Sequence, residues 1–293
     1  MESCVSRKVG VLLLPLAVVL AGCDMSFAHL TARATDEWTR TYPLTAGGEV
    51  RIVNTNGKID VEGVDGTTVE VRAEKIARGA TDAAARELLP RIVIKEDAKP
   101  DRISLETERM SGIMIGAAFE VRYHVRAPKN AVINVTNTNG QVALTALDGK
   151  VRAHTTNGGV NGKDLTGGVD ARSTNGGVTI DMASVGPDRI SLRTTNGGVT
   201  LTLPDSAKAT LSASCTNGGI NVSALDKLEV SDQSRRRVEG RLNGGGTEIE
   251  LQTTNGGIRV RPRGAVATRT DEVEKPEKPE KLEKLEKLEK RDR

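Results

Sequence analysis

Apolar and polar residues alternate with a period of two along most of the chain between residues 40 and 262, which predicts strands rather than helices. The alternation is clearest on either side of a recurring Thr-Asn-Gly-Gly string. Before the string stand the inward pairs Ile133/Val135, Val151/Ala153, Val169/Ala171, Ile190/Leu192, Leu211/Ala213 and Ile249/Leu251. After it stand Val142/Leu144, Val178/Ile180, Val199/Leu201, Ile220/Val222 and Ile258/Val260. Arg, Ser, Thr, Asp, Asn and Gln fill the positions between, so one face of each strand is buried and the other is wet. Each unit is therefore a strand, an Asn-Gly-Gly corner, a second strand and a looser return turn such as Leu147-Asp148-Gly149 or Gly186-Pro187-Asp188.

The corners are Asn139-Gly140, Asn157-Gly158, Asn175-Gly176, Asn196-Gly197, Asn217-Gly218 and Asn255-Gly256, with a distant copy at Thr55-Asn56-Gly57-Lys58. Asn139, Asn157, Asn175, Asn196 and Asn217 are separated by 18, 18, 21 and 21 residues. The step from Asn217 to Asn255 is 38, which is two periods or one period with an insertion. Such corners call for positive φ, which Asn tolerates and Gly adopts freely. The second Gly is expected to keep a side chain clear of the coil above.

Two all-β architectures fit. Near-identical corners at a fixed period favour a β-solenoid of coils about 18–21 residues long, because each corner then rests on its own copy. Asn-Gly between alternating strands is also the strongest hairpin signal, so an antiparallel meander or sandwich is the alternative. About twelve strands in one open meander would exceed what such sheets usually reach, which weighs toward the solenoid.

The rest of the chain divides around this repeat. Residues 1–22 form a signal peptide: Arg7 and Lys8, an apolar run from Val9 to Ala21 broken by Pro15, then Leu20-Ala21-Gly22-Cys23. That last string resembles the lipobox of bacterial lipoproteins, and the resemblance implies a lipid anchor on Cys23. A linker is expected over 23–39, and an N-terminal β-rich part over 40–130. This part carries a short helix over Thr81–Leu89, with Thr81 as N-cap and Pro90 as terminator. The repeat covers 131–262, interrupted over 230–247 by a solvated loop containing Arg235-Arg236-Arg237. Residues 263–293 are a charged low-complexity tail of Glu-Lys-Pro and Glu-Lys-Leu strings.

Composition narrows the function. Lys and Arg number 42 against 39 Asp and Glu, a net charge of +3 that offers no strong field for recruiting nucleic acid. Aromatic residues are 2% of the chain, so the core must be Val, Ile and Leu, and ring-stacking platforms for sugars or single strands are missing. His29, His124 and His154 have no metal-ligand spacing, and no nucleophile or phosphate motif occurs; no metal, cofactor or catalytic residue is expected. Cys215 falls in a column of small inward residues with Asn137, Thr155, Ser173, Thr194 and Thr253, which is a structural position. His154, Arg172 and Arg193 fall in one outward column and form a candidate binding face for an anionic polymer.

The Thr-Asn-Gly-Gly-Val units, Arg241–Gly246 and the opening pattern Val50–Gly66 together resemble a bacterial domain-of-unknown-function family labelled "putative adhesin". The resemblance spans about residues 40–262 and implies a solenoid-like β fold in the cell envelope, with no established catalytic residues. The resulting expectation is a lipid-anchored, non-catalytic envelope protein. It would touch the membrane through its anchor and bind an envelope polymer or protein through its β surface. An accessory of an envelope-stress signalling system is the alternative, and a β-helical polysaccharide-degrading enzyme is a third.

Overall fold

Where the alternation places Val, Ile or Leu on one side, the chain is extended. The computed structural model describes residues 32–108, 116–222 and 225–264. The signal peptide, Cys23, residues 109–115 and the tail from 265 onward lie outside the described residues. Strands β1 (Ala32–Pro43), β2 (Glu49–Asn56), β3 (Ile59–Val64) and β4 (Thr68–Gly79) precede helix α1 (Asp82–Leu88). Then come β5 (Ile94–Lys99), β6 (Arg102–Thr107) and β7 (Ala117–Pro128). The repeat follows as β8 (Val132–Asn139), β9 (Val142–Thr145), β10 (Val151–Asn157), β11 (Val160–Leu165), β12 (Val169–Asn175) and β13 (Val178–Met182). It continues as β14 (Ile190–Asn196), β15 (Val199–Leu203), β16 (Ala209–Asn217) and β17 (Ile220–Asn221). A hairpin of β18 (Leu228–Gln233) and β19 (Arg237–Leu242) leads to the last coil, β20 (Thr247–Asn255) and β21 (Ile258–Pro262). Helix α1 starts where Thr81 Oγ1 accepts from the Ala84 N–H at 3.2 Å, and Pro90 sits in the 3₁₀ turn that ends it.

Every coil gives one strand to each of two facing sheets. One sheet runs β1-β4-β7-β3-β9-β11-β13-β15-β21-β17, and the other runs β18-β19-β16-β20-β14-β12-β10-β8-β2-β6-β5. Pairing between coils is parallel and in register, with Val151 opposite Val169 and Asn157 opposite Asn175. The architecture is thus the β-solenoid rather than the antiparallel meander. The core between the sheets is aliphatic, with Tyr42 and Tyr123 its only buried rings among the described residues. Tyr123 avoids an unpaired hydroxyl through a 2.8 Å bond with Thr107 Oγ1.

Three expectations need correction. The linker expected over 23–39 is shorter, because β1 begins at Ala32 and pairs antiparallel with β4 along its whole length. The interval 230–247 is strand-rich rather than a solvated loop: β19 lies antiparallel against β16, and β18 lies outside β19. This hairpin closes the end of one sheet. The long step to Asn255 has a cause in that closure. The β20/β21 coil slots between β14/β15 and β16/β17, so the last coil in sequence is an inner one in space. The other end is built the same way, with β2/β3 inside β6/β7 and with antiparallel β5 and β1-β4 closing the two sheets.

The third correction concerns the corner. The corner asparagines are absent from the non-glycine residues at positive φ, which are Ala146, Asp164 and Asn243. The first glycine carries the turn, with φ 139° at Gly140, 154° at Gly158 and 155° at Gly176. It is also the glycine that cannot bear a side chain. A Cβ on Gly176 would lie 2.1 Å from Gly158 O, and one on Gly256 would lie 2.0 Å from Gly197 O. At the second position a Cβ on Gly177 or Gly198 would meet the next coil at 3.4 Å. Lys58 and Gln141 occupy that second position in the first two corners, which agrees with the looser space.

Two hydrogen-bond columns complete the corner. Outside, an amide ladder runs Asn56, Asn139, Asn157, Asn175, Asn196, Asn255, Asn217, each Nδ2 donating to the preceding Oδ1 at 2.7–2.8 Å. Inside, buried hydroxyls donate to the first-glycine carbonyl of the neighbouring coil: Thr155 to Gly140 O, Ser173 to Gly158 O, Thr194 to Gly176 O and Thr253 to Gly197 O. Those carbonyls face the interior, where no strand N–H reaches them, so the hydroxyls satisfy an otherwise orphaned acceptor. Cys215 is paired with Thr253 in register and holds the same place over Gly256 O with a much weaker donor.

Two outcomes follow for stability. Gly176→Ala should cost about 2–4 kcal/mol through overpacking and φ strain, whereas Gly177→Ala should cost under about 1 kcal/mol; urea unfolding of the two variants checks the order. Cys215→Thr should raise stability by about 0.5–1.5 kcal/mol by supplying the missing hydroxyl donor, and Cys215→Ala should not. Equal midpoints for those two variants would remove the column from the account.

Candidate functional site

In-register stacking turns single polar positions into columns on the outer face of the sheet that contains β8, β10, β12, β14, β20 and β16. One column is Thr136, His154, Arg172, Arg193, Gln252 and Ser214. His154, Arg172 and Arg193 thus stand on three adjacent strands, each about 4.8 Å from the next. The parallel column two residues earlier is Asn134, Arg152, Asp170, Ser191, Glu250 and Ser212. The corner residues Asn139 to Gly256 lie along the edge of the stack instead, and their partners there are one another.

A shallow groove crosses these columns near the return turns. Lys150, Arg152, Arg172, Arg189 and Arg193 line it, together with Asp170, Asp188 and Ser191. A second hollow, around His154, shares Arg152 and Arg172 with the first. Much of the charge is matched internally. Arg172 grips Asp170 through two bonds of 2.9 and 3.1 Å, and Lys150 Nζ is 2.9 Å from Asp188. Arg189 and Arg193 converge on one carboxylate oxygen of Glu250. Arg152 is exposed and makes no ion pair among the described residues. Arg189 is also 3.3 Å from Glu248, so the five cations exceed the neighbouring acids Asp170, Asp188, Glu248 and Glu250 by one. Two polar atoms on β14, Ser191 Oγ and Arg193 Nε, are buried with no hydrogen-bond partner among the described residues. Unspent buried donors beside surplus cations suit an anionic or hydroxyl-rich ligand.

Lys150, Arg152, Arg189 and Ser191 escaped the sequence reading. Arg152 and Ser191 share the outward register with His154 and Arg193 one alternation later, so the pattern could have found them. Lys150 and Arg189 lie one alternation earlier still, each seven residues before a corner asparagine, so the same register could have found them too. Among the described residues no three His, Cys, Asp or Glu side chains are grouped as metal ligands. Cys215 is buried in the inner column.

Burial pushes the Glu250 carboxyl up, but the hydrogen bonds and charges of Arg193 and Arg189 outweigh it and hold the group below the ordinary carboxylate range. A carboxyl depressed on folding stabilises the fold above its unfolded pKa, and that contribution disappears as pH falls through the lower folded value. Glu250→Gln should therefore lower stability modestly at neutral pH, by up to about 1 kcal/mol since the pair is part-exposed, and the deficit should close in acid. Melting curves across pH check this; a deficit that persists in acid would mean the carboxylate's charge is not what matters.

No curated protein matches the chain. A solved structure of a candidate cell adhesion protein from Clostridium sporogenes is 12% identical, with TM-score 0.39, and the alignment covers 78% of this chain and 100% of that one. A candidate adhesin from Bacteroides fragilis is 11% identical, with TM-score 0.35, covering 78% of this chain and 97% of that one. The stack itself carries the assignment: residues 44–261, from the first coil through β21, match the family described as Toastrack DUF4097, and the chain belongs to that family.

Proposed function

We propose that the protein is a lipid-anchored, non-catalytic component of the bacterial cell envelope whose β face binds an anionic polymer. The observation that carries the binding reading is the groove on the β10–β12–β14 face. There Lys150, Arg152, Arg172, Arg189 and Arg193 surround the unpartnered Ser191 Oγ and Arg193 Nε. Repeated cations at a fixed strand spacing suit a ligand that itself repeats, and a flat open face suits a chain rather than a small molecule. Support for the non-catalytic reading comes from the partners of these side chains. Arg172, Lys150, Arg189 and Arg193 are held by Asp170, Asp188, Glu248 and Glu250, as a charged surface would be, and none orients a nucleophile among the described residues. The anchor rests on Leu20-Ala21-Gly22-Cys23 after the Arg7-Lys8 start and apolar run.

Retention on immobilised alginate or dextran sulfate, with neutral dextran as control, tests the groove. Arg152→Glu with Arg172→Glu should reduce retention on the anionic polymers at least about tenfold and make it less salt-dependent. The same reversals at Arg259 and Arg261, on the opposite sheet, should leave most of it. Equal losses from both faces would mean that net charge alone is responsible. For the anchor, labelled palmitate should be incorporated by the native chain and lost in Cys23→Ala; incorporation that survives the change would remove Cys23 from the proposal.

A further inference from the structure

Five corners share one tetrapeptide, Thr-Asn-Gly-Gly, at residues 156–159, 174–177, 195–198, 216–219 and 254–257. Asn-Gly is a chemically labile pair, because a glycine amide nitrogen meets no side-chain hindrance when it approaches the asparagine Cγ. With the same local sequence in every copy, only the fold can make the copies differ. It does so through the amide of the first glycine. Gly158 N donates to Asn175 O, Gly176 N to Asn196 O, Gly197 N to Asn255 O and Gly256 N to Asn217 O, all at 2.9 Å. In these four corners the would-be nucleophile is occupied by the next coil, and the asparagine side chain both donates and accepts in the ladder.

Asn217-Gly218 is the exception. Its coil is the outermost one at this end, since β20/β21 lies inside it. Asn217 Nδ2 donates to Asn255 Oδ1 at 2.8 Å, but no further asparagine donates to Asn217 Oδ1. The Gly218 N–H has no partner among the described residues. Hairpin β18–β19 covers β16, the strand that ends at Asn217, only as far as Cys215, whose N–H meets Arg236 O. Asn217 is exposed, and a Cβ added at Gly219 would meet nothing within 4 Å. At the opposite end of the ladder the glycine amide is occupied, since Gly57 N donates to Asn139 O at 2.8 Å, and Asn56 Oδ1 accepts from Asn139 Nδ2.

We infer that Asn217 is a built-in site of spontaneous deamidation, the one labile corner of a ladder that shields its other copies. The Gly218 nitrogen gives up its proton and bonds to Asn217 Cγ. The carboxamide C–N bond breaks, ammonia leaves, and a five-membered imide remains. Water then adds to either imide carbonyl and opens the ring to aspartate or to isoaspartate, with nothing oxidised or reduced. The product has no amide N–H for Asn255 Oδ1 and sets a carboxylate against that oxygen instead. The modification therefore loosens the outermost coil, next to buried Cys215, and leaves the inner coils intact.

Folded full-length protein held in mildly alkaline buffer, then digested and mapped by mass spectrometry with enzymatic isoaspartate labelling, tests this. Asn217 should convert at least about tenfold faster than Asn157, Asn175, Asn196 or Asn255, because two fewer hydrogen bonds must open there. In denaturant the five copies should converge to similar rates. Asn243-Gly244 is an internal rival with its side chain fixed to Asp205 O and Ala207 O at 3.0 and 2.7 Å, and it should lag. Equal rates in the folded protein, a leading Asn243, or an Asn217 lead that persists in denaturant would each overturn the inference.

Discussion

Each coil rests on its neighbour through a glycine whose missing Cβ lets two backbones approach where a methyl group would fall about 2 Å from a carbonyl oxygen. That contact sets the register of the whole stack. Once Gly176 sits over Gly158, the asparagine before it meets an asparagine, and the small hydroxyl two residues earlier meets a glycine carbonyl. The valine that follows the second glycine then meets a valine. A side chain at the first glycine would disturb all of these at once, because the two sheets and the corner share one translation from coil to coil. The second glycine lacks this role, as Lys58 and Gln141 show. The outer amide ladder adds polar satisfaction along an exposed edge, while the inner hydroxyl column removes the cost of burying carbonyls in an aliphatic core.

A stack of parallel strands has two open ends, and unpaired backbone there invites association. This chain meets the problem with antiparallel strands at both ends and with a crossing of sequence order. The first and last full coils are each covered by another coil, so neither ends the stack. The covering layers are unlike: β1, β4, β5 and α1 at one end, β18 and β19 at the other. Protection is less complete over the last corner, where β17 spans only Ile220–Asn221 and the hairpin stops short of Asn217. The chemical lability inferred for that corner is the counterpart of the ladder's protection elsewhere.

The basic groove also depends on register. Arg152, Asp170, Ser191 and Glu250 are distant in sequence but consecutive across four strands, and the same register brings Lys150 and Arg189, two residues before Arg152 and Ser191, to one rim. Because bases pair with acids both along a strand, as Arg172 does with Asp170, and across coils, as Arg189 and Arg193 do with Glu250, the face is partly neutralised yet keeps a small excess of cations. A one-residue slip would bury these charges and expose the core, so the face and the fold are specified by the same alternation.

Much of this was legible in the residues themselves. The period of two identifies strands and their inward faces, the repeated Asn-Gly identifies corners, and Thr81 with Pro90 frames α1, since each of these is a local effect of side-chain shape and backbone freedom. The preference for stacked coils over hairpins also follows from the fixed period, and the parallel registers agree with it. Other features were decided by tertiary structure. Identical corners are interchangeable to a reader of sequence, so nothing local states that Asn255 lies between Asn196 and Asn217. The linker that becomes β1 and the supposed loop that becomes β18 and β19 are strands because an open sheet edge offers them backbone partners, which their own alternation does not announce. Which glycine of each pair is indispensable was likewise hidden, because a clash with a neighbouring coil exists only once that coil is in place.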